Sequence, residues 1–158
     1  MILTKRSDYG LRVVLTLAAC FGQRAVCAEQ IAEEGGLPGP FVKKLIQQLA
    51  RAHVTRAVRG RGGGYTLSRN PSEISLFQVL NAFEDLAPVT CLRRPGKPTL
   101  PDSPLCALEV SAPCATRPAW ALVDRRIKRL LDSISLAELL QAVHEQGFLG
   151  ASAKEGAV

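Results

Sequence analysis

Two short β-prone runs, Val54 to Val58 and Tyr65 to Leu67, are joined by Arg59-Gly60-Arg61-Gly62-Gly63-Gly64. Such runs on either side of a glycine cluster predict a hairpin with a flexible, basic tip. Glycines here take positive φ and let the backbone approach a groove closely, while Arg59 and Arg61 supply charge. The run fails as a phosphate loop. Gly60 and Gly62 begin a G-x-G-x-x-G pattern, but its sixth position is Tyr65, and no Lys-Ser/Thr follows as a Walker loop requires. A plain solvated turn is the competing reading.

What precedes the hairpin gives it a context. Leu11, Leu15 and Ala18 recur at i, i+4, i+7 with Val14, Leu17 and Phe21 alongside, so Ser7 to about Phe21 reads as an amphipathic helix capped by Ser7 or Thr4. A short helix, Ala28 to Glu34, turns Ile31 and Ala32 inward and stops at Gly35-Gly36. After Leu37-Pro38-Gly39, Pro40 suits a first helical position and opens a third helix. That helix carries Phe41, Leu45, Ile46 and Leu49 on one face and Lys43, Lys44, Gln47, Gln48 and Arg51 on the other. A helix, a glycine-containing turn and a cationic helix form a helix-turn-helix, and a hairpin directly after its recognition helix is the wing of a winged helix.

Charge placement agrees with this arrangement. The net charge is +6 over 158 residues, yet residues 1–70 hold eleven Lys and Arg against four Asp and Glu, while residues 71–158 hold nine against ten. A basic half joined to a neutral one points to a phosphate-bearing partner, with the second half serving another purpose. Composition excludes disorder, collagen, a coiled-coil rod and a solenoid. The longest apolar run, Val13 to Phe21, is too short to span a bilayer. Leu17-Ala18-Ala19-Cys20 imitates a lipoprotein box, but Asp8 interrupts the would-be positive segment and few apolar residues precede Cys20, which favours a cytoplasmic protein without a membrane partner.

Beyond Asn70-Pro71, Ser75 caps a helix whose Leu76, Phe77, Val79, Leu80 and Phe83 face inward. Seven of the ten prolines then fall between Pro88 and Pro118, so that stretch reads as mostly loop. Trp120, Val123, Ile127, Leu130 and Ile134 follow at spacings of 3, 4, 3 and 4, the seam of a coiled-coil-like helix. Dimerisation through that seam and packing against the chain's own core are both open. Ser135-Leu136-Ala137-Glu138 is a capping box that opens a last short helix.

Cys91, Cys106 and Cys114 lie in the proline-rich loop, where packing gives a thiol no reason to be. Cys20 and Cys27, in or beside helices, read as core filler. No C-x₂₋₄-C pair supports zinc, and neither His53 nor His144 lies near a cysteine as a catalytic thiol would require. Three loop thiols suit an iron-sulfur cluster, which tolerates irregular spacing and a non-cysteine ligand. A redox-labile disulfide or plain loop thiols stay open. Nothing marks an enzyme: no activated nucleophile, nucleotide loop or carboxylate pair is evident.

Several motifs then coincide in order: Leu3-Thr4, Ser7-Asp8-Tyr9-Gly10-Leu11-Arg12, the wing Val58 to Tyr65, Ile74-Ser75-Leu76, the cysteine loop, and Ser135 to Leu140. From Met1 to about Leu140 the chain resembles the Rrf-two family of iron-sulfur winged-helix regulators typified by IscR, NsrR and RirA. In ligand pattern it is most similar to the NsrR-like nitric-oxide sensors. The resemblance implies a homodimeric DNA-binding transcription regulator, usually a repressor, whose palindromic operator is released or bound as a cluster responds to nitric oxide, oxygen or iron scarcity.

By the same resemblance Cys91, Cys106 and Cys114 are the cluster ligands, and Asp8 of the other subunit is the fourth, with Arg12 beside it. The gap between Cys91 and Cys106 is longer than the family's usual spacing. Three thiolates plus Asp8 suit [4Fe-4S], the preferred form; Cys106 and Cys114 with Asp8 or another residue would suit [2Fe-2S]. Candidate DNA contacts are Phe41, Lys43, Lys44 and Gln47 in the major groove, with Arg59 and Arg61 at the neighbouring backbone or minor groove. The expected fold is mainly α with a small β-hairpin wing. Its divisions are a winged helix-turn-helix domain at 1–86, a cluster loop at 87–118, a dimerisation helix and short terminal helix at 119–149, and a tail at 150–158.

Overall fold

Thr4 sets the start of the first helix: its hydroxyl accepts the Arg6 N–H at 3.2 Å, and α1 runs over Lys5–Ala19. The computed structural model describes residues 3–89, 92 and 116–146. Because Thr4 is the cap, Ser7 lies inside the helix and is fully buried; its Oγ donates to Glu84 Oε1 at 2.9 Å. Thr4 Oγ1 donates to the same carboxylate oxygen, so Glu84 sits at the positive end of the α1 dipole.

Among the described residues there follow α2 (Ala28–Glu34), α3 (Gly39–Arg51), β1 (Thr55–Val58), β2 (Gly64–Leu67), a 3₁₀ turn (Pro71–Glu73), α4 (Leu76–Asn81), α5 (Arg117–Ser133) and α6 (Leu136–Glu145). Gly35-Gly36 ends α2 as expected: Gly36 N–H reaches Glu33 O at 3.2 Å and Leu37 N–H reaches Ala32 O at 2.7 Å, the paired bonds of a Schellman stop. Helix α3 buries Val42, Leu45, Ile46 and Leu49, spaced i, i+3, i+4, i+7. This corrects the expected apolar face, because Phe41 lies about 100° around the helix from Val42 and is 55% exposed.

β1 and β2 pair antiparallel from Thr55↔Leu67 to Val58↔Gly64, which places Arg59 to Gly63 at the tip. Gly60 and Gly62 hold φ of +112° and +76°, conformations that side chains rarely adopt. Val26, between α1 and α2, exchanges two backbone bonds of 2.9 Å with Tyr65 and adds a third edge to the hairpin.

Helix α1 packs against α2, α3, α4 and α6. It therefore buries a broader face than periodicity implied. Val13, Val14 and Leu17 are buried, whereas Leu11 and Leu15 are only half-buried. On the α4 side a Cβ at Gly10 would stand 2.1 Å from Phe83 Cε2, so only glycine lets that ring lie against the helix.

The chain's end returns to this core. Ile74-Ser75-Leu76 and Ile134-Ser135-Leu136 lie antiparallel, with Leu76 N–H on Ile134 O at 2.8 Å and Leu136 N–H on Ile74 O at 2.9 Å. Each serine caps the helix that follows it: Ser75 Oγ accepts from Gln78 N and Ser135 Oγ from Glu138 N. The Glu138 carboxylate accepts the Ser135 N–H at 2.7 Å in return, which completes the expected capping box. Leu136 is fully buried beside Leu17 and Ile74, so α6 shares the core of residues 1–86 even though the sequence division grouped it with α5. Helix α5 carries Pro118 in its first turn and buries none of its residues.

Candidate nucleic-acid interface

The buried stripe of α3 fixes what its other side presents. With Val42, Leu45, Ile46 and Leu49 inward, Phe41, Lys43, Lys44, Gln47 and Arg51 are all exposed. Two bonds tie the wing to this helix: Val54 N–H to Leu49 O at 2.9 Å, and the buried Thr55 Oγ1 to Ile46 O at 3.3 Å. The wing thus cannot swing independently without leaving buried polar groups unpaired. A groove of about 340 Å³ separates them, lined by Glu29 and Lys43 on one side and Ala57, Val58, Gly64 and Tyr65 on the other.

Arg59 and Arg61 are exposed at the wing tip. Arg56, which sequence reasoning missed, is exposed on β1, where only Thr55 is buried and strict alternation fails. Lys43 Nζ lies 3.6 Å from Glu29 Oε1, but both side chains are well exposed and the pair is worth little. Glu29 is held below the usual carboxylate range, first by a backbone hydrogen bond and next by the Lys43 charge. None of the ion pairs among the described residues involves Lys44, Arg56, Arg59 or Arg61. A helix that offers cations, an amide and an aromatic ring beside a cationic hairpin has the chemistry to meet phosphates and base edges together.

The proposed cluster ligands are only partly visible. Cys91, Cys106 and Cys114 lie outside the described residues. Asp8 is on the first turn of α1, its carboxylate half-exposed, with Oδ2 accepting from Arg12 Nε at 3.1 Å. Arg12 also lies over the Tyr9 ring, 5.9 Å from its centroid. Among the described residues Oδ1 has no partner, so Asp8 retains an oxygen that fits an iron ligand. No cluster of three or more His, Cys, Asp or Glu side chains suited to a metal occurs among the described residues. Cys20 is half-buried at the end of α1; Cys27, expected as core filler, is instead exposed at the start of α2.

A helix-turn-helix with a docked wing and a basic face on which, among the described residues, only Lys43 has a carboxylate partner is the architecture of a DNA-binding transcription regulator. Comparison with known proteins agrees. The family model Rrf2, iron-dependent transcriptional regulator, matches residues 3–142. The chain belongs to the Rrf2 family. It is 31% identical over 142 residues to Protein rrf2 of Nitratidesulfovibrio vulgaris, covering 89% of this chain and 88% of that one. Among solved structures it is similar to T. potens IscR, with a TM-score of 0.66 and 29% identity over 92% of this chain and 90% of the other. It is also similar to the oxidized form of Staphylococcus aureus CymR, with a TM-score of 0.60 and 25% identity over 89% and 97%. In the described residues no helix is long and apolar enough to cross a membrane.

Proposed function

We propose that this chain is a cytoplasmic, homodimeric repressor that senses nitric oxide, redox state or iron status through an iron-sulfur cluster. The observation that carries the reading is the family match, which spans the helix-turn-helix, the three-cysteine loop and the Asp8 position in one piece. Cys91, Cys106 and Cys114 would hold the cluster, [4Fe-4S] in preference to [2Fe-2S], with Asp8 of the partner subunit as fourth ligand. When bound, the cluster supplies a bond network that nitric oxide, oxygen or iron loss can break.

The chain's own residues then transmit the change. Asp8 and Arg12 stand on the first turns of α1, and α1 packs directly on α3. Tying or freeing α1 therefore acts on the recognition helix through a contiguous packed path. Two such helices must stand about 34 Å apart to enter successive major grooves of a palindromic operator. Phe41, Lys43, Lys44 and Gln47 would enter the groove, and Arg59 and Arg61 would reach the backbone or minor groove beside it. The apolar stripe of α5 would form the dimer.

A second reading has support in the likeness to the oxidized CymR structure: a winged helix without a cluster, switched by oxidation of loop thiols. Protein purified without oxygen, beside Cys106→Ala, separates the two. Absorbance near or above 400 nm with about four irons per chain, lost in the variant, supports the cluster. A colourless, iron-free protein whose DNA binding responds to reductant replaces it with the thiol switch.

A further inference from the structure

A second basic surface lies at the other end of α3. A groove of about 400 Å³ opens between α3 and α4, lined by Gln48, Arg51 and Ala52 on one wall and Phe77, Gln78, Asn81 and Ala82 on the other. Two of the wall amides, Gln48 and Gln78, each hold a further guanidinium. Arg6 Nε donates to Gln48 Oε1 at 3.0 Å, and Arg69 Nη2 donates to Gln78 Oε1 at 3.1 Å. Three arginines from α1, α3 and the segment after β2 are thus gathered around one groove. None of the ion pairs among the described residues involves them. Glu84, three residues beyond Asn81, is turned to the hydroxyls of Thr4 and Ser7.

Resting on the DNA-binding reading above, we infer that Arg6, Arg51 and Arg69 form a phosphate clamp that grips the DNA backbone beside the groove that α3 enters. Lys44 and Arg51 lie on one exposed stripe of α3, seven residues apart and so about 10 Å along the axis. B-DNA's major groove is about 12 Å wide. With the amino end of α3 at base edges, Arg51 therefore arrives near the strand that walls the groove. Guanidinium groups already oriented by an amide lose less freedom on meeting a phosphate, and their planar fork suits its oxygens. The surface is continuous with the recognition helix and complementary in charge to a polyanion, whereas nothing in it reads a base. Its contribution is affinity and register, without sequence choice.

The test uses the full-length chain and duplexes selected by it from a random-sequence pool. If each arginine meets one phosphate per subunit, an Arg6→Gln, Arg51→Gln, Arg69→Gln triple variant lowers the magnitude of the log-affinity against log-salt slope by about five, and Arg51→Gln alone by about two. The rank order of selected sequences stays the same. Methylphosphonate substitution of the flanking phosphates weakens wild-type binding and leaves the triple variant unaffected. Arg-to-Lys replacements, which keep the charge, retain most of the slope and cover the case in which a glutamine variant fails to fold. A variant slope equal to wild type, or a changed sequence preference, overturns the clamp. Wild-type protein that binds no duplex overturns the DNA-binding reading itself, a separate outcome.

Discussion

Helices α3 and α5 are built on the same pattern, an apolar stripe with cations on the remaining surface, and meet opposite fates. Helix α3 finds partners for its stripe within the chain: Val42, Leu45, Ile46 and Leu49 are at most 2% exposed. Helix α5 touches α4 but buries no residue of its own among the described residues. Trp120, Leu122, Val123 and Leu130 are 40% to 64% exposed. An amphipathic pattern says that a face needs covering, and only the topology says by what. Helices α1 and α2 and the hairpin close over α3, while α5 touches α4 and leaves its apolar stripe exposed among the described residues.

The largest contrast between them is energetic. Leu49→Ala empties a site within the core and lowers stability by about 2–5 kcal/mol, measured by chemical denaturation at fixed protein concentration. Leu130→Ala leaves that value nearly unchanged at low concentration and instead weakens self-association in analytical ultracentrifugation. Equal losses of monomer stability for the two variants would erase the contrast and place Leu130 inside the chain's own core.

Gly10 offers a sharper probe of the folded body. The Phe83 ring occupies the space where a side chain would begin, so Gly10→Ala overpacks the α1–α4 contact and costs about 1–3 kcal/mol. Phe83→Leu in the same chain relieves part of that loss. A Gly10→Ala protein with an unchanged melting curve would show that α4 moves freely away from α1.

The elements were legible where their signals are local. The Gly35-Gly36 stop and the Ser135–Glu138 box rest on residues within four positions of one another, and the hairpin on two runs joined by one glycine-rich turn; each is found, and α3 starts at Gly39, one residue before the expected Pro40. The buried stripe of α3 was misread at one position: Leu45, Ile46 and Leu49 are buried as expected, but helical spacing completes their stripe with Val42 and leaves Phe41 outside it. Contacts across the chain were not legible. Nothing in Gly10 announces Phe83, and the pairing of Ile74-Ser75-Leu76 with Ile134-Ser135-Leu136 joins segments sixty residues apart. The basic face of α3 and the wing could be read from spacing, but Arg6 and Arg69 could not be placed near Arg51 without the fold. The three loop cysteines lie outside the described residues, so their reading as a donor set rests on the sequence alone.

The capping box tests how firmly α6 is held to the body. Ser135→Ala removes the acceptor for the Glu138 N–H and costs about 1 kcal/mol. Glu138 is held below the usual carboxylate range by the Ser135 N–H and then by its hydroxyl. A carboxylate with a depressed folded pKa stabilises above its unfolded pKa, and that contribution fades as pH falls through the folded value. The wild-type advantage over Glu138→Gln is therefore present near neutral pH and disappears in acid. An advantage that grows with acidity would contradict the hydrogen-bonded carboxylate.

The smallest effect belongs to Lys43, the cation of the α3 face that has a carboxylate partner among the described residues. Glu29 neutralises part of Lys43's field, so Glu29→Gln frees that charge for DNA while altering stability little, both groups being exposed. Affinity for a selected duplex should rise a few-fold at low salt, and the gain should vanish as the Debye length shrinks from about 10 Å at 0.1 M to about 3 Å at 1 M. An affinity indifferent to Glu29 at low salt would place Lys43 away from phosphates and shift the reading surface toward Lys44, Gln47 and the wing.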